Sequence, residues 1–106
     1  MRKGHIVLIP FPFTDLSGKK VRPALVLYAG GGEDCVVAFI TSAKASGGTY
    51  GVKAQADSKN GLKVDSIIRV DKIATLQKKI VIGELGTLDT HVLASVHSSL
   101  KKLFGI

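Results

Sequence analysis

Two of the chain's three arginines sit where an arginine needs a reason. Arg22 interrupts the apolar run Val21-Arg22-Pro23-Ala24-Leu25-Val26-Leu27, which reads as a buried strand, and Arg69 interrupts Ser66-Ile67-Ile68-Arg69-Val70-Asp71. A guanidinium is almost never fully buried unless paired, and its planar fork of donors suits a phosphate or a carboxylate. Asp71 follows Arg69 at the two-residue strand period, so the two share a face about 6–7 Å apart, as either a structural salt bridge or a catalytic pair. Thr41-Ser42 closes the apolar run Cys35 to Ile40 and delivers two hydroxyls at a strand end. Phe11 and Phe13 lie in the irregular segment Pro10 to Lys20, which ends in the pair Lys19-Lys20. Aromatics in a basic loop either stack on nucleobases or tuck into the core and pin the loop.

Other reactive types are placed less purposefully. Cys35 is the chain's one cysteine, so an internal disulfide is excluded, and its apolar surroundings predict a buried, inert thiol. His91 and His97 are six residues apart on a predicted helix, the wrong spacing for a shared metal, and are expected at the surface. Gly30-Gly31-Gly32 lacks the lysine and hydroxyl that a phosphate loop requires.

The elements that must position these residues are mostly short strands. His5 to Ile9 is β-branched and ends at Pro10; Val21 to Tyr28 follows, with Pro23 arguing for an edge or the start of that strand. Cys35 to Ile40, Thr49 to Gln55, Ser66 to Val70 and a bent Val81 to Leu88 continue the series, and Ser58-Lys59-Asn60-Gly61 is a strong turn signal. Lys72 to Lys79 reads as a helical turn or irregular crossing. Val92, Leu93, Val96, Leu100, Leu103 and Phe104 recur at helical spacing, with Asp89 or Thr90 as the cap and Gly105 as the stop. One domain over residues 1–106 is expected: a mainly β, small, strongly bent antiparallel sheet or barrel of five to seven strands, closed by a C-terminal helix.

The net charge of +7 favours a polyanionic partner, nucleic acid before membrane, because no basic amphipathic or long apolar segment is present. The short apolar run Ile6 to Ile9 is too short for a signal peptide or a membrane span, which fits a cytoplasmic protein.

Taken in order, several segments resemble the MazF/PemK family of toxins of type II toxin–antitoxin systems. They are Gly4-His5-Ile6-Val7-Leu8, Phe11-Pro12-Phe13-Thr14-Asp15-Leu16-Ser17-Gly18, Arg22-Pro23-Ala24-Leu25-Val26-Leu27, Ile40-Thr41-Ser42 and Ile68-Arg69-Val70-Asp71-Lys72-Ile73. The Phe-Pro-Phe-Thr-Asp loop looks most like the PemK-type branch. The resemblance implies an SH3-like barrel, a homodimer, a cognate antitoxin, and cleavage of single-stranded RNA without metal or cofactor. The implied reaction is attack by the substrate's own 2′-hydroxyl, leaving a 2′,3′-cyclic phosphate. By the same resemblance Arg22 and Thr41 match the catalytic pair, and Arg69 and Asp71 match residues with catalytic roles in some members; the candidate RNA-binding residues beside them are Phe11, Phe13, Lys19, Lys20 and Ser42.

The chemistry of those residues agrees. Internal transesterification needs a base near the 2′-hydroxyl, donors around phosphorus and a proton for the leaving oxygen. Arg22 suits the clamp better than the proton donor, since guanidinium holds its proton above about pH 12. Thr41 is a donor to a phosphate oxygen. Asp71 is a base if its surroundings raise its pKa, and Arg69 either stabilises the phosphorane or holds Asp71 ionised. Where many members carry an acid after the opening glycine, this chain has His5, which either titrates in the site or is simply a strand residue. A non-catalytic single-strand-binding barrel is the alternative reading of the same basic surface.

Overall fold

The structure, a computed structural model, describes residues 1–11, 20–44 and 48–106, without the side chain of Phe11. Six strands run in chain order: β1 (His5–Phe11), β2 (Lys20–Tyr28), β3 (Asp34–Ser42), β4 (Gly51–Ala54), β5 (Ser66–Gln77) and β6 (Gly83–Thr87). A 3-10 turn at Lys78–Ile80 precedes β6, and helix α1 (Thr90–Phe104) ends the chain. All pairings are antiparallel, in the order β4-β5-β3-β2-β1-β6, so the strands form one curled half-barrel. Among the described residues no helix is long and apolar enough to cross a membrane.

Alternation along the strands divides the interior into two clusters. Ile6, Leu25, Ala38, Ile40, Ile68 and Val70 point to one side, where Val92, Leu93, Val96 and Leu100 of α1 cover them. Val7, Ile9, Ala24, Val26, Cys35, Val37 and Leu76 fill the other. Residues 24–26 are fully buried because adjacent members serve opposite clusters, which is why the run Ala24 to Val26 is continuously apolar. Cys35 is buried as expected, and desolvation pushes its thiol pKa up. Asp89 caps α1 by accepting from the His91 amide at 2.8 Å, and Gly105 stops it in the left-handed conformation at φ 71°.

Three expectations are corrected. Lys72 to Lys79 is mostly strand: β5 continues to Gln77 because the long β3 offers it partners, from Ala38 opposite Ile73 to Asp34 opposite Gln77. Pro23 lies in an internal strand, and Pro10 is inside β1. Each occupies a local edge, since the β2–β3 ladder begins at Ala24 and the β1–β6 ladder stops at Leu8, so neither missing N–H breaks a second ladder. His97 is half-buried rather than at the surface, with Nε2 shielded and without a hydrogen-bond partner among the described residues, and desolvation lowers its pKa, helped by Lys3 and Lys101. His91 is exposed.

In the segment between β4 and β5 the Asn60 side chain is the buried tie, beside Asp57 Oδ1, which accepts from Asn60 N, and Asp65 Oδ1, which accepts from Ala56 N. Asn60 is 3% exposed. Its Nδ2 donates to Gln55 O at 2.8 Å, while its Oδ1 accepts from Leu62 N at 2.9 Å and Asp57 N at 3.2 Å. The turn then docks on β6: Thr87 N donates to Lys59 O at 2.9 Å, and a Cβ on Gly86 would come within 2.1 Å of that oxygen. Asn60→Ala strands these buried groups, an expected loss on the order of 2 kcal/mol. Thermal unfolding followed by circular dichroism should show a fall in Tm of about 10 °C.

Candidate active site

The site lies where the β2–β3 ladder ends. Its last pair on this side is Ala24 opposite Phe39. Continued by two residues, the same antiparallel register sets Arg22 across from Thr41. The two are 19 apart in sequence, yet both line a cavity of about 170 Å³ with Ile9, Phe39, Ile40 and Lys72. Both also line a larger cavity of about 470 Å³, whose apolar walls include Val21, Leu62, Val64 and Ile82. Arg22 is exposed rather than buried, because β3 no longer flanks β2 there, and burial sets in only at Ala24. Its charge therefore faces the groove at no great desolvation cost.

Thr41 has the opposite character. Its Oγ1 is shielded from water and has no hydrogen-bond partner among the described residues. A buried hydroxyl without a partner is uncommon and costly. Here it sits beside a guanidinium on a cavity wall, where an incoming phosphate oxygen would satisfy it. Ser42, exposed at the end of β3, lines the larger cavity and continues the polar edge.

Arg69 and Asp71 are one diagonal step away. Thr41 is opposite Ile67 and Phe39 is opposite Arg69, so Arg69 is a diagonal neighbour of Thr41 at roughly 7–8 Å. The pair is bidentate, with Arg69 Nε donating to Asp71 Oδ1 at 3.0 Å and Nη2 to Oδ2 at 2.9 Å. The hydrogen bond from Arg69 is the main cause holding the Asp71 carboxyl below the ordinary carboxylate range, and Lys72 adds to it. The condition for Asp71 as a strong base, a raised pKa, is not met. Of the two roles open to Arg69, holding Asp71 ionised is the one its hydrogen bonds display.

Not every expected residue joins the site. His5 lies four residues from Ile9, the partner of Arg22, and so about 13 Å along β1. There its Nδ1 is 3.3 Å from Glu84 Oε1, which the N-terminal amine also approaches at 3.3 Å. His5 is thus a strand residue in an ion-pair cluster rather than part of the site. Lys20 is exposed at the start of β2 and lines neither cavity. Phe13, Lys19 and the Phe11 side chain lie outside the described residues.

Two lysines at the site were not anticipated. Lys63 lines the larger cavity and Lys72 the smaller. Phe39 faces Arg69 whereas Ala38 faces Ile73, so one step on β3 spans four on β5. Val70, Asp71 and Lys72 bow out of the ladder. Reading residue 72 as the start of a crossing concealed this, and the only sequence signal was its place directly after Arg69-Val70-Asp71. No group of three or more His, Cys, Asp or Glu residues placed to hold a metal ion occurs among the described residues.

Comparison with known proteins bears on this geometry. The fold matches the toxin MazF-mt6 of Mycobacterium tuberculosis with a TM-score of 0.79 at 20% identity, covering 96% of this chain and 97% of the other. A MazE–MazF structure from Deinococcus radiodurans matches with a TM-score of 0.79 at 26% identity, covering 100% and 96%. An endoribonuclease in complex with its cognate antitoxin, from a mycobacterial species, matches with a TM-score of 0.77 at 20% identity, covering 100% and 96%. No curated protein matches the sequence. The model of the family described as PemK-like, MazF-like toxin of type II toxin–antitoxin system matches residues 2–104, and the chain belongs to that family.

Proposed function

We propose that this protein is a sequence-selective endoribonuclease toxin that cuts single-stranded RNA by 2′-hydroxyl attack, without a metal, and is neutralised by a cognate antitoxin. The observation that carries the reading is the shared wall of Arg22 and Thr41, whose shielded Oγ1 has no partner among the described residues. A fork of cationic donors and a lone hydroxyl aimed into one cavity match a phosphate in which negative charge is building. Family membership supports the same reading, as do the relatives solved as an endoribonuclease and as toxin–antitoxin complexes.

Each side chain then has a task. Arg22 clamps the non-bridging oxygens, and Thr41 donates to one of them. Asp71, kept ionised by Arg69, accepts a hydrogen bond from the 2′-hydroxyl and orients it; weakened as a base, it leaves the proton to pass to water. Ser42 and Lys63 border the groove in which flanking nucleotides lie, and its apolar walls suit unstacked bases. Those walls also suit an antitoxin segment that orders on binding. Val21, Val64 and Ile82 are 45%, 56% and 59% exposed, an apolar rim that a partner would cover. The working form in this reading is a cytoplasmic homodimer.

Purified protein free of antitoxin should cut a long RNA with EDTA present, and mass spectrometry of the fragments should find 2′,3′-cyclic phosphate and 5′-hydroxyl ends. Arg22→Ala and Thr41→Val should each lower the cleavage rate by about 10²-fold or more while circular dichroism is unchanged. Intact RNA with wild type would overturn the enzyme reading, and tight binding without cutting would favour a single-strand-binding barrel.

Asp71 gives a separate check through its titration. Because its folded pKa is depressed, its contribution to stability is present above the unfolded pKa and is lost as pH falls through the folded one. In carboxyl NMR its midpoint should lie below those of unpaired aspartates, and Arg69→Gln should move it up into the ordinary aspartate range. A midpoint unmoved by Arg69→Gln would remove the ion pair from the site's electrostatics.

A further inference from the structure

We propose that Lys72 is the general acid of the reaction, donating a proton from Nζ to the 5′ oxygen as it leaves; this rests on the ribonuclease reading above. Breaking a phosphodiester expels an alkoxide, which needs a proton to leave at neutral pH, and a positioned acid contributes about 10²–10⁴-fold. The groups around the cavity narrow the choice. A guanidinium such as that of Arg22 holds its proton too firmly. Asp71 is an anion and has no proton to give. The Thr41 hydroxyl is as weak an acid as the alcohol it would protonate, and His5 is about 13 Å away along β1.

Among the described residues, Lys72 is the remaining proton carrier that lines the small cavity, on the same wall as Arg22, Phe39 and Thr41. Its charge also reaches Asp71, whose carboxyl it helps to hold ionised. The bowed stretch of β5 explains both facts. Asp71 and Lys72 have Cα atoms about 3.8 Å apart, and the bow releases both from the strict alternation of a paired strand. Of the two, Lys72 is the one that lines the small cavity, where it meets the leaving oxygen on the side away from the attacking 2′ oxygen. Lys63 borders only the larger cavity, and its place is beside the flanking nucleotides.

The step balances without an oxidant or reductant. A lone pair on the 2′ oxygen forms the new bond to phosphorus, and the 2′ proton passes to water. The bond from phosphorus to the 5′ oxygen breaks with its electron pair on that oxygen, which takes a proton from the Lys72 ammonium. The neutral amine regains a proton from solvent.

The test uses two RNA oligonucleotides that differ at the scissile 5′ position, one with the natural bridging oxygen and one with bridging sulfur. A thiolate leaves without a proton, so loss of a general acid matters for the first and not for the second. Wild type must cut the oxygen substrate; if it does not, the ribonuclease reading itself fails. With wild type active, Lys72→Ala should lower kcat on the oxygen substrate by about 10²-fold or more and cut the sulfur substrate within a few-fold of the wild-type rate. Lys72→Arg, which keeps the charge but gives up its proton poorly, should behave as Lys72→Ala does. Equal losses on both substrates, a raised KM with kcat unchanged, or full activity of Lys72→Arg on the oxygen substrate would each overturn the assignment. Sulfur rescue found for Lys63→Ala in place of the Lys72 variants would also overturn it.

Discussion

The break in register between β3 and β5 is the constraint on which the site depends. One step on β3 is matched by four on β5, so the strand that carries Arg69 into the sheet also throws Asp71 and Lys72 clear of it. An unbroken ladder would commit those two to its hydrogen-bonding pattern and send them to opposite faces of a flat sheet. The bow lets adjacent residues carry opposite charges to one region, and it interrupts the longest ladder of the sheet. Geometry of the fold and chemistry of the site are thus set by the same few peptide units.

A second ladder end supplies the other half. The strands β2 and β3 separate after Ala24 and Phe39, and the open corner leaves Arg22 and Thr41 facing one space with no rungs between them. Below that corner lies a fully buried sheet whose two faces feed separate clusters, which fixes the positions of β2 and β3 firmly. A rigid base with an open rim is the arrangement that preorganised charge stabilisation requires, since donors that need not move at the moment of reaction lose nothing to reorganisation.

Much of this was legible in the chain. Apolar alternation gave six strands and the helix with its cap and stop, because each element's local pattern agrees with its burial. Arg22 was recognisable as a placed residue even though full burial in β2 begins only at Ala24, since it is the corner, not the core, that calls for a guanidinium. What could not be read was where ladders stop. Pro10 and Pro23 lie within strands at positions flanked on one side only, and β5 outruns its own sequence signal because β3 is there to pair with it. Lys72 was hidden for the same reason: its position depends on a register offset that only the assembled sheet defines. For His5 the sequence left both readings open, since its place in the motif said nothing of the distance along β1 that separates it from Arg22.

Asn60 is followed by Gly61, a pairing that in a loose chain is prone to chemical ageing, as the next backbone nitrogen attacks the side-chain amide and expels ammonia. Here that nitrogen is engaged with Asp57 O at 3.1 Å, and the amide it would attack is held by Gln55, Leu62 and Asp57. The fold therefore shelters the bond while the turn is closed. Once the turn opens, conversion to a carboxylate would set a negative charge against the Gln55 carbonyl oxygen and prevent the wall that carries Leu62, Lys63 and Val64 from reseating. The same amide that shapes one side of the groove thus gives the molecule a lifetime, governed by how often that turn comes apart.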